Sequence, residues 1–422
     1  MAKRKFISGL FLILFTLTGL VSAQTTKEEF LSDSRFAGGL YCPYPVTSLL
    51  PAPTPAPAGY TPFYISHYGR HGSRYAISAS CHTGPIKILT EAGNAGKLTP
   101  AGKSLLQRLQ LAAEDAEARY GDLSPLGAKE QKGIAERMFL AYPEVFAGKG
   151  FVYSRSTQVP RCILSMAAFD ERLKELNPDL TIAREASMRN HYLNNDAVVN
   201  RDTIKALQSL FAKKQLHPER FLANLFTDPA YARQLVAEPE KLMSQVYIAA
   251  INLPNLDHLQ LSLFDAFTSD ELFVLWQYEN MWMYYFVGPS AINGTSTTRS
   301  ASLLLKNILD CADDAIRNHS VAADLRFGHD SYIIPLLAIM DVEGMNNRES
   351  EPENVYLAWS SFKAAPMAAN IQLVFYKNNS NNDILVKLMH CEKPVRVPVA
   401  TDMFPFYHWK DLRAYYEKKV SE

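Results

Sequence analysis

The chain has 422 residues, enough for more than one domain of the usual ~100–200 residues. Its 47% apolar and 20% charged residues are those of a globular chain, not a disordered one. Lys and Arg number 43 against 43 Asp and Glu, which argues against a nucleic-acid-binding protein with its customary basic excess.

The N-terminus reads as an export signal. Lys3, Arg4 and Lys5 precede an apolar run from Phe6 to Leu20, and Val21-Ser22-Ala23 offers a small-residue cleavage site before Gln24. The run is shorter than the ~20 residues of a spanning helix. The mature chain is therefore expected off the membrane, in the periplasm or secreted. Cys42, Cys81, Cys162, Cys311 and Cys391 are scattered, with no close pair to suggest a metal site. At most one or two disulfides are expected.

Residues 24–50 read as an N-terminal arm, followed by an extended Pro/Ala tract over 51–58. Thr61 to His67 predicts a buried strand running into Tyr68-Gly69-Arg70-His71-Gly72-Ser73-Arg74. Helical patterns cover 99–119 and 124–142, and Gly150 to Ser154 is a short strand that ends on Arg155. From about 166 to 300 helical periodicity dominates. There Thr268-Ser-Asp-Glu271 forms a capping box opening the aromatic-rich segment Leu272 to Phe286, which reads as a core helix. Asn293 to Thr298 reads as a loop. Ala323 to Phe327 predicts a strand leading into Gly328-His329-Asp330, and a helix follows over Tyr332 to Met340. Ile371 to Tyr376 and Ile384 to Met389 predict a hairpin. No internal repeat is visible.

Three strand ends thus deliver charged clusters: the 70–74 loop, Arg155, and His329-Asp330. Ligand sites of open α/β sheets gather outside the carboxyl ends of strands, so the three can share one pocket. Its chemistry is coherent. Guanidinium forks at Arg70, Arg74 and Arg155 suit the non-bridging oxygens of a phosphate ester. A neutral imidazole at His71, kept deprotonated by nearby positive charge, can attack phosphorus. Gly72 lets backbone approach the phosphate. Asp330 can protonate the leaving oxygen and His329 adds a donor; no metal or other cofactor is needed. Arg161 could also bind phosphate, but its first reading is a structural ion-pair residue. His67 and His71, four apart, would be metal ligands only on a helix, which Gly69 and Gly72 oppose.

Arg70-His71-Gly72-Ser73-Arg74 resembles the Arg-His-Gly-x-Arg signature of the histidine acid phosphatases. Leu123-Ser-Pro-Leu-Gly127, Arg155-Ser-Thr-Gln-Val-Pro-Arg161 with Leu164-Ser165-Met166, and Gly328-His329-Asp330 resemble further segments of that family in its order. Phe327 to Met340, Val386 to Leu388 and Glu392 to Val395 resemble the multiple inositol polyphosphate phosphatase branch. Two positions depart: Ala76 stands where the signature has proline, and His329-Asp330-Ser331 replaces that branch's His-Ala-Glu. The resemblance implies an α/β fold, a parallel-sheet core over 24–165 and 301–422 with a mainly helical cap over 166–300. It implies His71 as nucleophile, Asp330 as proton donor, and Arg70, Arg74, Arg155 and His329 as phosphate ligands. The substrate would be phytate or another inositol polyphosphate. Arg189 and His191 are candidates for extra cap cations. Three other readings use the same residues: a broad phosphatase of sugar or nucleotide monoesters, a phosphate-ligand-binding protein without turnover, and a metal-dependent hydrolase built on His67 and His71.

Overall fold

Continuously buried runs of β-prone residues build the centre of the protein. A computed structural model describes residues 25–46, 54–318, 320–378 and 380–421; the expected export signal over 1–23 and the start of the Pro/Ala tract lie outside them. Eight strands form one sheet: β1 Tyr60–Arg70, β2 Phe151–Ser156, β3 Thr181–Glu185, β4 Ala323–Gly328, β5 Asn370–Asn378, β6 Ile384–His390, β7 Lys393–Pro394 and β8 Phe406–His408. The spatial order is β3-β2-β4-β1-β5-β6-β7, with β8 also beside β6. β3, β2, β4 and β1 run parallel. The hairpin β5–β6 is antiparallel and extends the sheet past β1, so the sheet is mixed, with its parallel half where the charged clusters lie.

Both faces of the sheet are covered, as a parallel sheet requires. Tyr64, Tyr68, Leu373 and Phe375 point into a core shared with helices Ser302–Asn318, Asp330–Ile339 and Trp409–Ser421. The alternate residues Ile65, Leu325, Phe327 and Val374 pack against helices Pro125–Ala141 and Pro160–Leu176. Each of these last two helices starts with proline at its first position, where the missing N–H costs nothing. No helix among the described residues is long and apolar enough to cross a membrane. All five cysteines are unpaired thiols.

A separate helical cluster lies beside the sheet. It joins Leu89, Leu109, Phe221, Val246, Leu275 and Trp276, with Phe30 and Ala37 of the N-terminal arm. The boundary expected between core and cap at 165/166 needs correction. Helix Pro160–Leu176 packs on the sheet and β3 hydrogen-bonds to β2, so sheet structure continues to Glu185. Conversely, helices Ser80–Asn94 and Pro100–Ala116, expected in the core segment, contribute to the helical cluster. The expected capping box is present: Thr268 and Glu271 cap helix Ser269–Phe286 reciprocally.

Candidate active site

The register of the parallel strands brings three carboxyl ends to one level. Arg70 pairs with Gly328, and Phe327 pairs with both Gly69 and Ser156. The chain then leaves β1 under tight backbone control. The His71 amide donates to the Gly328 carbonyl at 2.9 Å, and the Ala368 amide donates to the His71 carbonyl at 3.0 Å.

Helix Pro125–Ala141 clamps the 70–74 loop from outside. A Cβ on Gly72 would lie 2.3 Å from the Gly127 carbonyl oxygen, and a Cβ on Gly127 would lie 2.1 Å from that of Ser73. Only two facing glycines permit that backbone approach. One turn on, the buried Glu130 carboxylate accepts the Ser73 amide (2.6 Å), the Ser73 hydroxyl (2.8 Å) and the Tyr44 amide (2.7 Å). Burial pushes this carboxyl up to about 7 against the pull of those three bonds. Gln131 Nε2 donates to the Arg70 carbonyl, and Ser165 Oγ accepts the Gly72 amide.

The His71 ring is held in one tautomer. Its Nδ1 lies 2.8 Å from the Gly72 carbonyl oxygen. A carbonyl only accepts, so Nδ1 carries the proton and Nε2 keeps a free lone pair. Burial, and then Arg70, Arg74, Arg161 and His329, hold the imidazolium pKa well below its usual value. The ring is therefore neutral and nucleophilic across the physiological range.

The cations around it carry unused donors. Arg70 is fully buried. Its Nη1 donates to the Leu40 and Ala365 carbonyls, each at 2.6 Å, and its Nη2 lies 2.6 Å from Asp330 Oδ2. That last contact is ionic, with the N–H direction missing the oxygen. Arg74 donates to the Tyr75 carbonyl and stacks over the Tyr41 ring at 4.8 Å. Arg161 Nη2 lies 3.5 Å from His329 Nδ1, and the His71 and His329 rings are 5.7 Å apart. The Nε groups of Arg70, Arg74 and Arg161 are buried without a hydrogen-bond partner among the described residues. Buried polar groups are normally satisfied, so convergent unsatisfied guanidiniums are the mark of an anion receptor.

Asp330 opens helix Asp330–Ile339, and its Oδ1 accepts the Ser331 amide at 2.7 Å. Burial raises this carboxyl, but Arg70, Arg74 and His329 outweigh burial and hold it below the usual range. Burial and Arg161 lower His329 to about 4, so that ring is neutral too. Beside Arg74 and Asp330 a cavity of about 240 Å³ reaches to Tyr41 of the N-terminal arm and to helix Ser269–Phe286.

The expected site therefore assembles from Arg70, His71, Arg74, His329 and Asp330, but Arg155 has to be replaced. Arg155 is paired across from Arg326, and its Nη1 is bound to Asp324 Oδ1 at 2.6 Å. Asp324 also accepts the Tyr64 hydroxyl, and Tyr64 belongs to the sheet face under helix Ser302–Asn318. Strand alternation thus turns Arg155 to a buried ion pair. Arg161, read from sequence as the structural residue, is the one beside His329 and His71. The signal for it was Pro160: a helix starting there puts Arg161 in its first turn, above the end of β2. Glu130, Gln131 and Tyr41 carried no comparable signal. His67 stays in the core between Phe169 and Phe327, with neither ring nitrogen hydrogen-bonded among the described residues. Arg189 and His191 are exposed on the turn Met188–Leu193.

Residues 69–390 match the family model of the histidine phosphatase superfamily, branch 2. The chain belongs to that superfamily. Multiple inositol polyphosphate phosphatase 1 of Gallus gallus is 24% identical to this histidine phosphatase over 406 residues, covering 86% of this chain and 82% of that protein. In structure, it is similar to the Bifidobacterium longum multiple inositol polyphosphate phosphatase solved with inositol hexasulfate. That match has a TM-score of 0.73 at 18% identity and covers 90% of this chain and 97% of the other. The phytase from D. castellii matches with a TM-score of 0.64 at 15% identity, over 92% and 85% of the two chains.

Proposed function

We propose that this protein hydrolyses phosphate monoesters through a phosphohistidine on His71, with inositol polyphosphates as its substrates. The observation that carries the chemistry is a buried, neutral, tautomer-locked imidazole ringed by guanidiniums with unused donors. The names of the chicken and Bifidobacterium relatives support the substrate class.

Arg70, Arg74, Arg161 and His329 hold the phosphoryl oxygens, which places the ester oxygen opposite the ring. Nε2 of His71 forms a bond to phosphorus as the ester P–O bond breaks. Nδ1–H stays on the Gly72 carbonyl and spreads the charge that develops on the ring. Bound phosphate offsets the guanidinium charge on Asp330, raising its carboxyl so that it can carry the proton it gives to the leaving oxygen. In the second step Asp330 takes a proton from water. The water oxygen bonds to phosphorus, the P–N bond breaks, and inorganic phosphate leaves with His71 restored. The helical cluster acts as a cap over this site. The segment 1–23 would direct the chain to the periplasm or beyond the cell and be removed on export.

Rapid quench of the mature chain with a labelled phosphate monoester tests the reading. An acid-labile, base-stable phosphate on His71 is expected, together with loss of turnover in His71→Ala. Turnover without such an intermediate would reject it.

A further inference from the structure

Helix Ser269–Phe286 carries Glu279 into the same cavity as Arg74 and Asp330. No hydrogen bond or ion pair engages its carboxyl among the described residues, and burial alone pushes it up to about 7. The wall around it is aromatic: Tyr41, Tyr247, Trp282 and Phe286 line the cavity with it. Arg74 is the one cationic residue of the described lining, already stacked on Tyr41 and bound to the Tyr75 carbonyl. Beyond the arginine the lining offers ring faces, the Glu279 and Asp330 carboxyls and the Ser331 and Ser361 hydroxyls, with no further lysine or arginine among the described residues.

Such a lining is a poor host for a second phosphate. Ring faces carry negative potential, and two like charges in a site shielded from water repel far more than in solution. The C–H face of a ring suits the aromatic wall, and a hydroxyl can hydrogen-bond the carboxyl. We propose that Glu279 is a specificity-determining residue: it admits an uncharged, hydroxyl-bearing part of the alcohol beside the reacting phosphate and excludes a second phosphate there. Lower inositol phosphates, with free hydroxyls beside the reacting ester, are then preferred to the fully phosphorylated ring. This rests on the phosphatase reading above and narrows its substrate class. The charged and titratable groups that line the cavity with Glu279 are Tyr41, Arg74, Tyr247 and Asp330, with Tyr278 interacting from its own helix.

The test compares kcat/KM for myo-inositol hexakisphosphate with that for a myo-inositol monophosphate, using the full mature chain. Wild type and Glu279→Gln are measured below and above about pH 7. The hexakisphosphate-to-monophosphate ratio should rise about tenfold or more in Glu279→Gln above that pH. The wild-type ratio should fall relative to the variant's as pH rises through it. The substrates' own second ionisations shift the ratio with pH in both proteins, so a purely structural glutamate would leave the same pH dependence in wild type and Glu279→Gln. Turnover of both esters, with ratios agreeing within about twofold at each pH, would overturn the role of Glu279 alone. No turnover of either ester by wild type would overturn the phosphatase reading itself.

Discussion

Two arginines six residues apart should fail in opposite ways when truncated. Arg161 lies beside His329 and His71, and its Nε has no partner among the described residues. Removing one preorganised donor to a transferring group typically costs about 100- to 1,000-fold in rate. Arg161→Ala should therefore lower kcat/KM by that factor, with little loss of stability because its contacts to the Gly121 carbonyl and His329 Nδ1 are long, at 3.4 and 3.5 Å. Arg155→Ala strands Asp324, whose side chain is only 5% exposed and would keep only the Tyr64 hydroxyl among its side-chain partners. Breaking a buried ion pair from one side costs about 3–5 kcal/mol. Partial exposure of Arg155, at 18%, places this pair at the lower end, near ~3 kcal/mol. The assay pairs steady-state kinetics on one phosphate monoester with urea denaturation of the same preparations. A folded Arg155→Ala that loses activity as Arg161→Ala should, beside a near-wild-type Arg161→Ala, would refute the assignment of the two arginines.

Asp330→Asn should slow alkyl esters far more than aryl esters, since only poor leaving groups need the proton. It should also remove the decline of kcat/KM as pH rises through the Asp330 pKa, which lies on the acid side because the arginines depress it. Equal effects on both ester types would exclude Asp330 as the acid. Gly127→Ala would put a Cβ 2.1 Å from the Ser73 carbonyl oxygen; a loss of about 1–3 kcal/mol is expected, read as a lower urea midpoint. Inorganic phosphate at 100 times its Kd should stabilise the wild type by about 2.7 kcal/mol in thermal denaturation. That gain should persist in Arg155→Ala and shrink in Arg161→Ala.

What could be read from sequence was whatever is local. The 70–74 loop declares itself because arginine, histidine and glycine fall together at a strand end. His329-Asp330 does so for the same reason, and the capping box at Thr268 lies within one helical turn. Arg155 was misassigned because proximity along the chain does not say which face of a strand a side chain takes; a single residue of alternation separates a site from a buried ion pair. Strand β3 and the role of helices Ser80–Asn94 and Pro100–Ala116 depend on partners far along the chain. Glu130 reads as one more surface charge on an amphipathic helix. Its importance appears only when folding brings Ser73, 57 residues away, within 2.6 Å.

The charge balance around His71 also explains how Asp330 can be ionised and still serve as the acid of the proposed mechanism. Three guanidiniums gathered around His71 repel one another and leave buried N–H groups unsatisfied, an arrangement that opposes folding. The fold offsets this with the Leu40 and Ala365 carbonyls and the Tyr41 ring, all neutral, and with the one anion in direct contact with Arg70, Asp330. Asp330 is thus a counter-ion of the guanidinium cluster. When phosphate supplies the negative charge in its place, the same carboxylate faces a smaller positive field and a new anion, and both changes favour its protonated form. In the proposed mechanism, substrate binding itself therefore converts the counter-ion into the proton donor.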